Sequence, residues 1–200
     1  MSNTQAPTPI KKEDYPTIKE TKDDSINSYV AFDLETTGLY PSNDSIIEIG
    51  AIKVIDGNIV ESDEMYFQEF VRPYRKQISA QVQEITGITP ADVEDARQMW
   101  EVIPDFMEFV GDLPLLGFNS IFFDCKFLER AGRYSHIYIN NPCFDVINYA
   151  NQFKKGFGIK KRRCSLKDMS DALGIVNPRA HRALADAITT AKVYQGLKAL

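Results

Sequence analysis

The stretch YVAFDLETTGL, residues 29–39, places Asp33 and Glu35 inside an otherwise apolar, strand-like run. A buried strand excludes carboxylates unless something compensates their charge. Residues i and i+2 of a strand point to the same face, so the two acids project together while Leu34 points the other way, into the core. Two like charges this close disfavour mutual ionisation. A cation between them removes that cost, and hard carboxylate oxygens suit Mg²⁺ or Mn²⁺. Taken alone, the pair also fits a plainer arrangement, with one acid facing solvent and the other capping the turn at Thr36-Thr37-Gly38.

Two further acids raise the same question. Asp124 closes GFNSIFFD, a short strand, a glycine turn and the start of a helix. An acid there also interacts favourably with the helix N-terminal dipole. HRALADA sets His181 five residues before Asp186. On an ideal helix that separation is about 140° of rotation, so the two converge only if His181 stands before the helix or in its first turn.

The segments between these acids predict an α/β domain. SIIEIGAIKVIDGNIVESDEMYFQEFV has two β-rich halves around Asp56-Gly57-Asn58, the signature of a tight hairpin. Three successive antiparallel strands thus open the domain. Ser79 is placed to cap a helix that Gly87 breaks, and Val102, Phe106, Phe109 and Val110 recur at helical spacing. Residues 113–119 read as a buried strand, 121–132 as a helix stopped by Gly132, 137–139 as a strand and 143–153 as a helix. Ser165 and Asp168 form a capping pair for a helix that ends at Gly174. Leu184, Ala187, Ile188, Ala191 and Tyr194 share a stripe, which predicts an amphipathic last helix. This order implies a mixed sheet with helices. Residues 1–27, polar and proline-containing, read as a flexible N-terminal tail ahead of one domain at 28–200.

Three cysteines without a CxxC pair and only two histidines argue against a zinc site and a disulfide framework, and point to a reducing, cytoplasmic setting. No apolar run is long enough to cross a membrane. The net charge of −5 carries no overall footprint of a nucleic-acid binder, but Lys154 to Arg163 holds six basic residues and no acid. That segment is either a solvated loop or a phosphate-contacting edge.

Taken together, FDLETTGL, GFNSIFFD, HRALADA and the intervening ITGIT resemble the three motifs of the DEDDh family of 3′→5′ exonucleases. The resemblance covers about residues 29–197 and is strongest to exonucleases of the proofreading type, such as the epsilon subunit of bacterial DNA polymerase III. It implies a ribonuclease H-like fold, with a central mixed five-stranded sheet flanked by helices. It implies that Asp33, Glu35, Asp124 and Asp186 bind two divalent cations, Mg²⁺ or Mn²⁺, and that His181 is the general base. Thr36, Thr37, Gly38, Leu39, Phe118 and Asn119 would then hold the 3′ end of a nucleic acid, with single-stranded DNA as substrate and a DNA polymerase as partner. Two features depart from the family pattern. Phe118 stands where a histidine is common, and the gap from Asn119 to Asp124 is one residue longer. An exoribonuclease of the same family, or an inactive domain that binds nucleic acid or a polymerase, are the alternatives; the presence of all five motif residues argues against the inactive one.

Overall fold

The structure, a computed structural model, describes residues 5–59 and 62–200. Its strands are β1 (Glu20–Thr21), β2 (Tyr29–Thr36), β3 (Ile46–Ile55), β4 (Asn58–Ile59), β5 (Tyr66–Phe70), β6 (Leu115–Gly117) and β7 (Cys143–Asp145). Its helices are α1 (Ala80–Thr86), α2 (Pro90–Val93), α3 (Met99–Val110), α4 (Asp124–Ser135), α5 (Val146–Phe153), α6 (Leu166–Ala172) and α7 (Ala183–Lys198). Residues 1–4 of the expected tail and 60–61 of the expected hairpin lie outside the described residues.

The expected antiparallel opening is present: β2 pairs with β3, and β3 with both β4 and β5. The β3–β4 turn works through local chemistry. Asp56 and Gly57 both have positive φ, 49° and 76°, as a two-residue turn between twisted strands requires. On the other side of β2 the sheet continues in parallel through β6, β7 and β1. The order is β1-β7-β6-β2-β3-β4, with β5 also on β3. The two-residue strands β1 and β4 extend the expected five-stranded mixed sheet to seven.

Both faces of β2 are buried, and alternation sorts its side chains. Val30, Phe32 and Leu34 pack with residues of α3 and α4, including Val102, Phe106, Phe127 and Leu128. Tyr29 and Ala31 pack on the opposite face with Val146, Ala150, Ala191 and Tyr194 of α5 and α7. Leu34 therefore points into the core, and Asp33 and Glu35 belong to the α7 face.

The structure departs from the sequence reading in four places. Residues 5–27 are not a loose tail. Tyr15 and Ile18 are buried, Ile10 N–H donates to the Arg133 carbonyl at 3.0 Å, and Glu20–Thr21 joins the sheet edge beside β7. Gly132 does not stop α4; it lies inside the helix, where a Cβ would meet the Tyr15 hydroxyl at 2.1 Å. The helix ends at His136, in the left-handed conformation. Residues 137–139 are not a strand: Ile139 instead donates its N–H to the Tyr15 hydroxyl, and the strand falls at 143–145, where β6 and β1 supply pairing partners. Finally, α7 is not amphipathic. It buries Ala183, Ala187, Ala191 and Tyr194 and also Thr189, Thr190, Val193 and Leu197, because it lies against the sheet with α5 and α6 beside it.

Candidate active site

The acids converge at the end of β2. Asp33 lies opposite Gly50 of β3, and Glu35 opposite Glu48. The register shifts between Glu35 and Thr36, so the ladder is interrupted immediately beyond the acids. Bulges of this kind re-aim side chains and end pairing beside functional sites. Gly50 matters for the same reason: a Cβ there would lie 2.0 Å from the Leu184 nitrogen. Its absence lets the first turn of α7 rest directly on β3 and brings Asp186 to the acids.

His181 precedes α7 with φ of 63°. Its backbone N–H donates to Asp186 Oδ2 at 3.1 Å, while the Asn177 amide donates to Oδ1. The convergence expected of a histidine just outside the helix is what the structure has. One ligand atom each from Glu35, His181 and Asp186 lie within 4.8 Å of one another. Asp124 enters from the N-terminus of α4. It is buried, and its Oδ1 has no hydrogen-bond partner among the described residues.

Electrostatics record how unfavourable this cluster is by itself. Burial, then the charges of Asp124, Glu35, Asp186 and Glu48, push the Asp33 carboxyl well above the usual range. Burial and the neighbouring acids, Asp186 first, push Glu35 up to about 8. Asp124 is pushed up to about 8, chiefly by burial, and burial also raises Asp186. The described residues supply these four acids with no direct ion pair. A hard, oxygen-only donor set, mutual repulsion and an orphaned buried oxygen fit divalent cations.

Glu48, unnoticed in the sequence, organises the neighbourhood. Its side chain is fully buried and accepts from Arg182 Nη2 at 2.7 Å and Nε at 3.1 Å. Gln68 donates at 2.8 Å and the Ala183 N–H at 3.0 Å. These bonds clamp the residues immediately after His181 to β3. Burial would raise the Glu48 carboxyl, but the hydrogen bonds from Arg182, Gln68 and Ala183 outweigh it and hold it below the ordinary value. The available signal was a single acid in the apolar run IIEIGAIKV, opposite Glu35, with an arginine following His181.

Two other acids shape loops. Asp145 accepts the N–H groups of Asn119 at 2.8 Å and Ile121 at 3.2 Å, which fixes the loop leading to Asp124. Asn119 itself has φ of 61°. Asp44 accepts from Tyr40 N–H at 2.9 Å and Lys76 at 2.8 Å, behind the Thr36–Leu39 turn. Gly38 has no room for a side chain, since its Cβ would lie 2.5 Å from the Asp44 carboxylate.

The remaining expected residues divide by exposure. Leu39 is 71% exposed and lines a 570 Å³ cavity with Glu35, Thr36, Thr37, Gly38 and Ile85. The Thr36 hydroxyl donates to the Gly38 carbonyl at 2.7 Å, so its proton is committed to the turn and its oxygen is left as an acceptor. Phe118 packs in part against the α5–α7 core, whereas Phe122 is exposed. A second cavity of 610 Å³ runs from His181 and Asp186 along α6. In the basic segment, Lys154 turns inward to the carbonyls of Lys161 and Arg162, and Lys161 pairs with Asp168. Lys155, Lys160, Arg162 and Arg163 are left exposed.

Comparison with known proteins agrees with this geometry. The chain is 36% identical over 183 residues to the PolC-type DNA polymerase III of Thermotoga maritima, a match covering 90% of this chain and 13% of that protein. It is 38% identical over 169 residues to the PolC-type DNA polymerase III of Clostridium perfringens, covering 84% and 11%. The chain thus spans only about an eighth of the length of these relatives. Escherichia coli exonuclease I, crystallised with a dT13 oligonucleotide, superposes with a TM-score of 0.72 at 18% identity, over 85% of this chain and 40% of that one. That likeness establishes the ribonuclease H-like fold. The exonuclease (RNase T) family model matches residues 30–194, and the chain belongs to that family of 3′→5′ exonucleases.

Proposed function

We propose that this exonuclease removes nucleoside 5′-monophosphates from the 3′ ends of single-stranded or frayed DNA, in the cytoplasm, in proofreading or repair beside a DNA polymerase. The observation that carries the reading is the convergence of Asp33, Glu35, Asp124 and Asp186 next to His181. DNA is favoured over RNA by the similarity to PolC-type polymerases. No helix among the described residues is long and apolar enough to cross a membrane.

The family depends on a divalent metal, and the four acids would hold two Mg²⁺ or Mn²⁺ ions. Ions held by these acids would compensate the buried charge and would supply electrostatic stabilisation to the attacking and leaving oxygens of the displacement. His181 takes the proton of the attacking water as general base. It is exposed, so the proton can pass on to solvent. The Asp186 carboxylate fixes its backbone from the inner side. The Thr36–Gly38 turn and the exposed Leu39 hold the terminal nucleotide, Leu39 against the base and Thr36 as an acceptor for the sugar hydroxyl. Asn119 and Phe118 flank the entry to Asp124.

Matched DNA and RNA oligomers, labelled internally and at the 5′ end, test this with Mg²⁺, Mn²⁺ or chelator. Stepwise release of mononucleotides from DNA, abolished by chelator, is expected. His181→Ala should lose on the order of 10²–10⁴ in rate, as removal of a general base does, while cation binding by calorimetry persists. Internal cleavage, activity in chelator or a preference for RNA would overturn the assignment.

A further inference from the structure

The N-terminal segment does more than cover the sheet edge. It lies across α4 and closes a 410 Å³ cavity lined by Lys12, Tyr15, Lys126, Glu129, Arg130 and Arg133, together with the Pro41–Ser42 end of the loop that carries Leu39. The docking is specific. Arg133 Nε donates to the Ile10 carbonyl at 2.6 Å, and the Tyr15 hydroxyl donates to the Ile137 carbonyl at 2.7 Å. Gly132 is what lets the Tyr15 ring approach.

Charge around this cavity does not balance. Among the described residues, Glu129 is the one acid in its lining, and its Oε1 is taken by Lys126 at 2.8 Å and the Ile18 N–H at 3.0 Å. Arg130 donates to the backbone carbonyls of Pro41 and Asp44, and Arg133 to that of Ile10. Carbonyls satisfy hydrogen bonds but leave the guanidinium charge uncompensated. Lys12 is exposed and, like Arg130 and Arg133, forms no ion pair among the described residues. Three uncompensated cations thus share one concavity in a chain whose net charge is −5. Burial and the nearby Arg75 already press the Arg130 guanidinium below its usual value, which an anion in the cavity would relieve.

Position relates the cavity to the active site. Lys126, Glu129, Arg130 and Arg133 follow i, i+3, i+4, i+7 spacing, a single stripe on the helix that starts at Asp124. At 1.5 Å rise per residue, Arg130 and Arg133 stand about 9 and 14 Å along the axis from Asp124. We infer that this cavity is a phosphate site, in which Lys12, Arg130 and Arg133 grip a backbone phosphate of the DNA strand upstream of the one being cleaved. The inference rests on the exonuclease reading above. Fork-shaped guanidinium groups suit phosphate oxygens, and such contacts are independent of base sequence.

The test is binding by fluorescence anisotropy, in chelator, across a salt series, with a labelled thymidine dinucleotide, a decamer and inorganic phosphate as probes. Lys12→Gln is the main variant because its side chain holds nothing in place; Arg133→Gln is the second. Each lost phosphate contact on a single strand should reduce the slope of log affinity against log salt by about 0.7. We expect Lys12→Gln to show that reduction and a several-fold weaker decamer, with the dinucleotide unchanged. An unchanged slope, or an equal loss for the dinucleotide, overturns the strand contact. So does inorganic phosphate binding that Lys12→Gln abolishes while the decamer is unaffected, which would assign the cavity to a free anion. Failure of the exonuclease reading looks different: no nucleotide is released from wild type when Mg²⁺ is restored, whatever the slopes show.

Discussion

Glu35 and Glu48 face each other across β2 and β3, both buried, yet the protein treats them oppositely. Glu48 receives a bidentate arginine, an amide and a backbone N–H, and its carboxyl is held below the ordinary value. Glu35, one strand away, joins three other acids and is pushed up to about 8 by burial and by their charge. Burial of an acid is therefore no mark of function by itself. What separates the two is whether the fold supplies the counter-charge. Glu48 is complete as it stands, a brace between β3 and the start of α7. The cluster around Asp33 is incomplete, and what would complete it is cationic.

Removing one partner of the completed site should do the most damage. Glu48→Gln leaves a partly exposed Arg182 without its counter-charge; breaking a fully buried pair costs about 3–5 kcal/mol, and the solvent access of Arg182 puts this change toward the lower end of that range. Urea denaturation should show that loss with the cation still binding to whatever protein is folded. A loss within experimental error would mean that Arg182 finds solvent and that the brace is not one. Asp33→Asn probes the other side of the contrast. It should lower the rate by on the order of 10²–10³, the usual scale for one electrostatic stabiliser. In chelator, however, it should make the fold more stable, because it removes an acid whose ionised form burial and the neighbouring carboxylates disfavour. Destabilisation in chelator would show that Asp33 is compensated after all, and the contrast with Glu48 would fail.

The residues that produce this contrast were unequally legible in the sequence. Asp33, Glu35, Asp124, Asp186 and His181 stood out because each sits in a short motif whose local geometry, strand alternation or a helix start, already aims it. Ser79, Ser165 and the Asp56-Gly57 turn were readable for the same reason: their chemistry is local. Glu48 was not, since its meaning lies in Arg182, 134 residues away. The N-terminal segment was misread because few of its residues are apolar. Its order comes from Tyr15 fitting over Gly132, a tertiary match that composition does not encode. Gly132 looked like a helix stop and α7 like a surface helix, because neither pattern reveals what packs against it.

The contrast should also be visible as opposite pH dependences. Glu35 and Asp124 titrate at about 8 in the fold against ordinary values of 4.5 and 3.8. Between those limits the folded state binds more protons than the unfolded chain, so their contribution is most favourable at low pH and is lost as pH rises toward 8. Glu48 runs the other way: its contribution is present above its ordinary value of 4.5 and is lost as pH falls through its lower folded value. Urea midpoints in chelator should therefore decline from pH 5 to pH 8, and Mg²⁺ should flatten the curve by keeping the cluster ionised. Identical curves with and without Mg²⁺ would disconnect the cation from these acids.

Asp44 offers the mildest version of the comparison. It is as buried as Glu48, but its counter-charge, Lys76, is half exposed, and Tyr40 N–H and the Thr37 hydroxyl share the work. Burial would raise its carboxyl, but Lys76 and Tyr40 hold it below the ordinary value. An exposed lysine contributes little, so Lys76→Met should cost about 0.2–1 kcal/mol. The backbone bond from Tyr40 should keep the loop behind Leu39 in place, leaving the exonuclease rate within about fivefold of wild type by the same scale of energy. A loss of several kcal/mol would instead make Lys76 to Asp44 what Arg182 is to Glu48. The two buried acids would then belong to one class, with the incomplete cluster between them as the exception.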